Sequence, residues 1–308
     1  MNQQKTISEI ISLWKTDKKQ YVKKSSFSAY MLLLENHLIP AFGSKYEVDE
    51  IEVQAFVLQK IEHGLSQKTV KDILIVLKMV IKFGAKNKWL NYQPFDIQFP
   101  TERTRQNIEV LSRTHQKKMM QYIQEHFTFR NLGVYICLCT GMRIGEVCAL
   151  SWEDIDTDNG IINIRRTIQR IYIIEGDIRK TEVILDTPKT KNSIREVPMN
   201  KDLLKMLKPI KKIVNPSFYV LTNDAKPTEP RTYRTYYKNL MKELDMPELK
   251  FHGLRHSFAT RCIESKCDYK TVSVLLGHSN ISTTLNLYVH PNLEQKKKAI
   301  DQMFKGLK

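Results

Sequence analysis

Apolar residues in the first hundred positions recur at helical spacing. Ile7, Ile10, Ile11 and Trp14 form one stripe, and Tyr30, Leu33, Leu34 and Leu38 form another that Pro40 and Gly43 are expected to stop. Ser66 precedes a longer stripe through Val70, Leu74, Leu77 and Ile81 and reads as its N-cap. No strand signal interrupts this part. Between Pro94 and Ser112, in FDIQFPTERTRQNIEVLS, the period is lost and proline mixes with basic residues, as in a linker lying on a charged surface. A helical pattern returns from Arg113 to His126 and continues through LGVYICLCTGM. From Gly160 to Val197 the chain turns rich in Ile, Val and Thr, as in IINIRRTIQRIYII and TEVIL. A three-stranded antiparallel sheet is expected there, over roughly Ile161 to Ile174, Ile178 to Asp186 and Ser193 to Pro198. After Lys201 helices resume, interrupted by Pro209, Pro216, Pro227, Pro230 and Pro247. The expected class is therefore mainly α with a small antiparallel β-sheet, in two domains with a boundary near residues 101–111.

Composition narrows the setting. The 308 residues can hold one large domain or two ordinary ones, and 42% hydrophobic with 27% charged residues suits a soluble globular chain. The longest mostly apolar run, Leu132 to Met142, is too short to span a bilayer, and MNQQKTISEI has no secretory signal. Cys137, Cys139 and Cys148 lack partners at metal-site spacing, and Cys262 and Cys267 have no second pair. All five read as free thiols in a reducing cytoplasm. Charge says more. Lys+Arg 49 against Asp+Glu 33 gives a net +16. Residues 1–105 hold 16 basic and 11 acidic side chains and the remainder 33 and 22, so both parts are basic. Nucleic acid is the leading partner, with affinity that falls as salt rises. A membrane surface is not expected, because no single amphipathic helix carries the excess.

Four stretches could carry chemistry. In TGMRIGEVCAL, Gly141 can end a helix, and Arg143 and Glu146 then fall three apart; a salt bridge at a helix start is the ordinary reading. In TPKTKNSIREVP, Lys189 lies in a turn between strands, where exposed lysines are common. In FHGLRHSFAT, His252 and Arg255 share a helical face, Gly253 permits close backbone approach, and His256 falls to the side. In LLGHSNISTTLNLYVH, Gly277 precedes His278, and Tyr288 alone would be read as packing with Leu285 under a short helix. Together the four suit attack on a phosphodiester. Arginine forks match phosphate oxygens, histidines donate or move protons, a lysine can protonate a departing oxygen, and a tyrosine can be the nucleophile. Only about one phenol in a thousand is ionised at pH 7, a penalty of roughly 4 kcal/mol that flanking cations can lower. No carboxylate cluster suited to a pair of Mg²⁺ ions stands in the sequence. No metal or other cofactor is therefore expected, and the chemistry should run in a chelator.

TGMRIGE, HGLRH, LLGHSNISTT and the closing YVH, in that order, resemble the signature boxes of the tyrosine recombinases: phage and transposon integrases and Xer-type recombinases. The resemblance runs from about Thr6 to His290, and SSFSAYMLLLENHLIPAFG resembles the opening of that family's helical, SAM-like core-binding domain. It implies a core-binding domain over 1–100, a linker over 101–111, a catalytic domain over 112–290 and a tail helix over 291–308. The two domains would close on duplex DNA as a C-shaped clamp. It also implies roles. Arg143 and Arg255 clamp the scissile phosphate, His278 hydrogen-bonds it, and Lys189 acts as general acid for the 5′ oxygen, with Lys191 two residues away as its competitor. His252 assists proton transfer, Glu146 orients Arg143 and His252, and Tyr288 attacks to leave a 3′-phosphotyrosine. Four protomers would assemble on two DNA sites, with the apolar stripe Leu293, Ile300, Met303, Phe304 and Leu307 of the tail exchanged between neighbours and an accessory directionality factor as a further partner.

The chain enters the core-binding helix within about ten residues, so no arm-site-binding domain is expected, which favours a simple site. The long hairpin from Ile161 to Asp186 looks more like mobile-element integrases than housekeeping recombinases. Further DNA contacts are expected from Lys68 and Lys71 near the Ser66 cap and from Arg231 and Arg234 after Pro230. Two other functions stay open: a type IB topoisomerase, which shares the nucleophile chemistry but acts as a monomer, and a non-catalytic DNA-binding regulator.

Overall fold

The computed structural model describes residues 4–101, 108–176, 178–188 and 190–288, together with 297, 300, 301 and 303–305 of the tail. The chain divides into two compact units, Met1–Arg105 with Arg170–Val183, and Gln106–Gln169 with Ile184–Lys308.

The first unit is built on helices. Thr6 caps α1 (Ile7–Lys18) through a reciprocal pair with Glu9, and Ile7, Ile10, Ile11 and Trp14 are buried as the stripe requires. α2 (Lys24–Leu33) runs into a π turn over Leu34–Leu38 and then α3 (Ile39–Phe42). Pro40 therefore does not stop the helix as expected. The widened turn, in which the Ile39 N–H reaches the Leu34 carbonyl, makes room for a ring that would otherwise strike the preceding turn, and Pro40 opens α3 where its missing N–H is not needed. Gly43 ends the run. α4 (Glu50–Glu62) is capped by Asp49 and α5 (Gln67–Lys86) by Ser66, whose hydroxyl accepts the Thr69 N–H at 3.1 Å. The α5 stripe, Val70, Ile73, Leu74, Leu77, Val80 and Ile81, packs on α1 and the π turn to make the core.

The second unit opens with α6 (Arg113–Glu125), α7 (Phe129–Thr140) and α8 (Ile144–Cys148). Its sheet differs from the expected one. β1 (Ile155–Asp156), β2 (Ile161–Ile164) and β5 (Arg195–Pro198) form an antiparallel three-stranded sheet in the order β1-β2-β5, with Ile162 opposite Val197. β3 (Thr167–Glu175) and β4 (Ile178–Asp186) form a separate ribbon, whose segment Arg170–Val183 belongs to the first unit. The apolar run from Ile161 to Ile174 is thus two strands, broken at Arg165 and Arg166. The Arg166 guanidinium donates to Ser151 Oγ, Glu153 and Asp154 at 2.6–2.8 Å, so the chain leaves the sheet to reach that acidic turn.

α9 (Lys201–Lys211), α10 (Pro230–Glu243), α11 (His252–Glu264), α12 (Tyr269–Leu276) and α13 (Ile281–Tyr288) complete the unit. Two of the expected proline interruptions do not occur. Pro209 sits in the last turn of α9 on an exposed side, where only one backbone bond is lost, and Pro230 opens α10 at its first turn. Trp152, Tyr135, Tyr233 and Leu254 lie in one fully buried core with α7 at its centre. Gly133 on α7 touches that core so closely that a methyl group there would meet Leu221 and the Tyr233 hydroxyl at 2.1 and 2.4 Å.

Candidate active site

α7 ends at Gly141, which adopts the left-handed conformation (φ +66°), and the chain turns at once into α8 with Arg143 at its N-cap. Glu146, 3% exposed, accepts the Arg143 backbone N–H at 2.9 Å and its guanidinium at 2.8 Å. A second guanidinium grips the same carboxylate. Arg195 on β5 donates to both Glu146 oxygens at 3.2 and 3.0 Å. Burial alone would raise the Glu146 pKa, but Arg195 and then Arg143 outweigh it and hold the carboxyl below its ordinary value.

α11 carries the next group. Gly253 lies against the Leu249 side chain, which a methyl group would strike at 2.4 Å, so its bareness serves close packing. Arg255, 2% exposed, donates to the Gly141 carbonyl at 2.8 Å and to the Leu276 carbonyl at 2.6 Å. Arg195 donates to Leu275 O at 2.6 Å and Arg143 to Gly277 O at 3.2 Å. Three consecutive carbonyls at the end of α12 therefore receive one guanidinium each, where the negative end of a helix favours cations. Gly277 (φ +66°) then turns the chain into His278, whose Nδ1 lies 2.9 Å from the buried Thr284 hydroxyl of α13.

Tyr288, at the end of α13, is half-buried and packs against the cluster of Ala259, Val272 and Leu276 on α11 and α12. Its hydroxyl lies 2.5 Å from His256 Nδ1, and the His252 ring stands edge-on to His256 at 4.6 Å between centroids.

The electrostatics follow from this packing. Desolvation, then His256, Arg255 and Arg143, lowers His252 to about 4; His252 stays open to solvent on its outer side. Burial followed by Arg255, Arg143 and Arg195 lowers His278 to about 4. Burial and Arg143 bring Arg255 down to about 9, which leaves it a cation at neutral pH. Burial raises Tyr288 to about 12, against a lowering by Arg255. The resting site is thus fixed cations, neutral imidazoles and a protonated phenol.

Of the residues singled out from the sequence, Arg143 and Glu146 come from the start of α8, His252 and Arg255 from α11, His278 from the turn after α12 and Tyr288 from the end of α13. Lys189 lies outside the described residues, as does the Lys191 side chain. Lys68 pairs with Asp72 at 3.2 Å, and Lys71 lies over the Phe99 ring at 4.8 Å. Arg231 and Arg234 are exposed on the first turns of α10. Arg234 also lines a pocket of about 450 Å³ beside His252, with Lys238, Lys242 and Lys250 at its rim and Met241 and Phe251 among its apolar walls. Two site residues escaped the sequence reading. His256 was set to the side of the His252–Arg255 face, although helical spacing of four from His252 keeps the two imidazoles adjacent. Arg195 carried a signal in the period of β5: it shares a face with Val197, which is buried, so it had to be buried and paired. Among the described residues no three His, Cys, Asp or Glu side chains are grouped to hold a metal ion.

Comparison with known proteins adds an independent line. Residues 109–295 match the phage integrase family, and residues 6–61 match the SAM-like N-terminal domain of phage integrases. The chain is 32% identical over 286 residues to the XerC-like tyrosine recombinase of Caldanaerobacter subterraneus subsp. tengcongensis, covering 85% of this chain and 72% of that one. It is 26% identical over 302 residues to the ICEBs1 integrase of Bacillus subtilis, covering 91% and 78%. Among solved structures, the Tn1549 transposon integrase in complex with circular intermediate DNA superposes with a TM-score of 0.75 at 22% identity, covering 97% of this chain and 100% of that one. A lambda integrase tetramer bound to a Holliday junction does so at 0.63 and 16%, covering 95% and 80%. With a family match across most of the second unit and a near relative along the chain, this protein belongs to the phage integrase family and is a tyrosine recombinase, an enzyme of site-specific DNA rearrangement.

Proposed function

We propose that this recombinase cuts and rejoins DNA through Tyr288, for the integration or excision of a mobile element. The observation that supports it most directly is the shared environment of the Tyr288 hydroxyl and the cations. Beside the larger effect of burial, Arg255 lowers the proton affinity of His252 and His278 and partly counters the rise that burial causes at Tyr288, so one guanidinium acts on all three groups. In this reading Arg143 and Arg255 hold the non-bridging oxygens of the scissile phosphate, and His278 donates to the same group. Tyr288 Oη forms a bond to phosphorus as the bond to the 5′ oxygen breaks. Lys189 supplies the proton to that oxygen, with Lys191 as the alternative donor, and His252 assists proton movement. Glu146 keeps Arg143 in place. The phosphotyrosine conserves the phosphodiester energy, so rejoining needs no ATP, and the cations do the charge stabilisation otherwise given to a metal ion.

The proposal extends to assembly. Residues 1–100 grip DNA as the core-binding domain, 101–111 link it to a catalytic domain over 112–290, and four protomers act on two sites. Similarity to the ICEBs1 integrase favours a mobile element, and the working compartment is the cytoplasm. Among the tail positions described, Ile300, Met303 and Phe304 are exposed, as a segment exchanged between protomers requires. Lys68, Lys71, Arg231 and Arg234 contact DNA phosphates, and an accessory factor sets direction.

The test is capture. Purified protein is incubated in EDTA with fragmented genomic DNA of the source organism, and SDS-resistant adducts are isolated and sequenced. Adducts at a few inverted-repeat sites, absent from Tyr288→Phe, are expected. Adducts scattered over sequence would point to a topoisomerase, and salt-sensitive binding with no adduct would point to a regulator.

A further inference from the structure

The structure assigns His256 a catalytic role: its Nδ1 accepts the proton that Tyr288 must lose when it attacks phosphorus. This inference rests on the reading of Tyr288 as the nucleophile.

Three observations carry it. The first is contact. His256 Nδ1 lies 2.5 Å from the Tyr288 hydroxyl, close enough for direct transfer. The second is the surroundings of the pair. Beyond His252 and Arg255 on α11, Tyr288 packs on the apolar cluster of Ala259, Val272 and Leu276, none of which can take up a proton. Glu146, the carboxylate of the set, is already held by Arg143 and Arg195. The third is rigidity. α11 is fixed on both sides of His256's neighbour, because Arg255 binds carbonyls at the ends of α7 and α12. α13 is tied back to its own entry turn by the contact of His278 with Thr284. The imidazole and the phenol are thereby held in register by hydrogen bonds that do not involve either of them.

The chemical state fits. Burial and the adjacent Arg255 lower the His256 pKa, so the ring is neutral and has a free lone pair on one nitrogen. With its proton on Nε2, Nδ1 accepts from the phenol. In the step itself, the Oη–P bond forms and the bond from phosphorus to the 5′ oxygen breaks. The phenol proton passes to Nδ1, and a separate donor, Lys189 in the proposed scheme, protonates the departing oxygen. When a 5′-hydroxyl attacks the phosphotyrosine, its proton passes to the now neutral donor, Lys189 in the proposed scheme, and the His256 imidazolium returns its own to Oη as the Oη–P bond breaks, so no proton is gained or lost over the cycle. His252, edge-on to His256, is then free to serve the phosphate side.

The test compares His256→Asn, which keeps a polar group near the Nδ1 position without its basicity, with His256→Ala, Tyr288→Phe and the wild type. Each is given duplex DNA recovered from wild-type adducts, with either the natural scissile phosphate or a 5′-bridging phosphorothiolate, whose thiolate leaves without a proton. Single-turnover adduct formation should fall about 10²–10⁴-fold in both His256 variants, equally on the two substrates, with DNA affinity unchanged. His256→Asn reacting at the wild-type rate, or recovery of either variant on the phosphorothiolate, overturns the assignment, the latter by moving His256 to the leaving-group side. Adducts from Tyr288→Phe, or none from the wild type, would instead sink the nucleophile reading beneath it. Should a variant fold poorly, nitrogen NMR of the wild-type full chain decides. A protonated Nε2 with a bare Nδ1 supports the role, and a protonated Nδ1 refutes it.

Discussion

Glu146 shows how much one side chain can hold in place. It is an anion 3% exposed, between Arg195 and Arg143. Replacing it with Ala leaves Arg195 buried and unpaired, and the cost of breaking such a pair is about 3–5 kcal/mol. Chemical denaturation of Glu146→Ala should show that loss, and Arg195→Ala should show a comparable one by stranding the carboxylate. The histidines make a second prediction at this scale. His252, His256 and His278 all lie below an ordinary imidazole, through burial first and then the neighbouring Arg255, with His252 and His278 at about 4. The unfolded chain therefore binds these protons first as pH falls. Stability is complete above about pH 6.5 and is lost as pH drops from there toward about 4. Thermal melts between about pH 7.5 and about pH 5 should show a falling midpoint, with a shallower fall in His252→Gln/His278→Gln; equal slopes would refute it.

At the scale of elements, the turn after α7 decides where Arg143 points. Gly141 combines φ +66° with neighbours that a methyl group would meet at 2.6 Å (Phe258) and 2.9 Å (Leu276). Gly141→Ala carries both the left-handed backbone cost and overpacking, together about 2–4 kcal/mol. Gly160 in the same unit has a similar φ of +68° and only Leu204 at 3.8 Å, so Gly160→Ala should cost about 1 kcal/mol. Thermal unfolding of the two variants tests the difference, which isolates packing from backbone strain. The same comparison shows why TGMRIGE was legible as a helix end followed by a helix start, while the contact partners of its glycine were not: Phe258 and Leu276 are more than a hundred residues away in sequence.

Over the whole molecule, charge is the quantity that counts. A net +16 spread over both parts of the chain predicts DNA binding dominated by phosphate contacts. If six to ten phosphates are neutralised, affinity should fall by about 10³–10⁵-fold between about 50 and about 200 mM salt. Titration by fluorescence anisotropy on one duplex checks this, and a flat profile would contradict it. Lys71→Ala and Arg234→Ala, on different units, should each weaken binding and reduce the salt slope by about one.

By itself the amino-acid sequence determined whatever depends on neighbours a few residues apart. The stripes of α1 and α5, the cap at Ser66 and the helix end at Gly141 are local events, read from spacing and turn chemistry. So was the order of the boxes that carry the family likeness. Tertiary structure decided the rest, because it depends on which surfaces meet. The run from Ile161 to Ile174 looked like one strand until Arg166 found its acidic turn. Arg195 joins the site only where its buried face meets a carboxylate from α8, and His256, to the side of the His252–Arg255 face, only where α13 brings a phenol to it across 32 positions. Local patterning encodes which face of an element is apolar, but the partner that a polar group finds inside is chosen by packing over the whole domain.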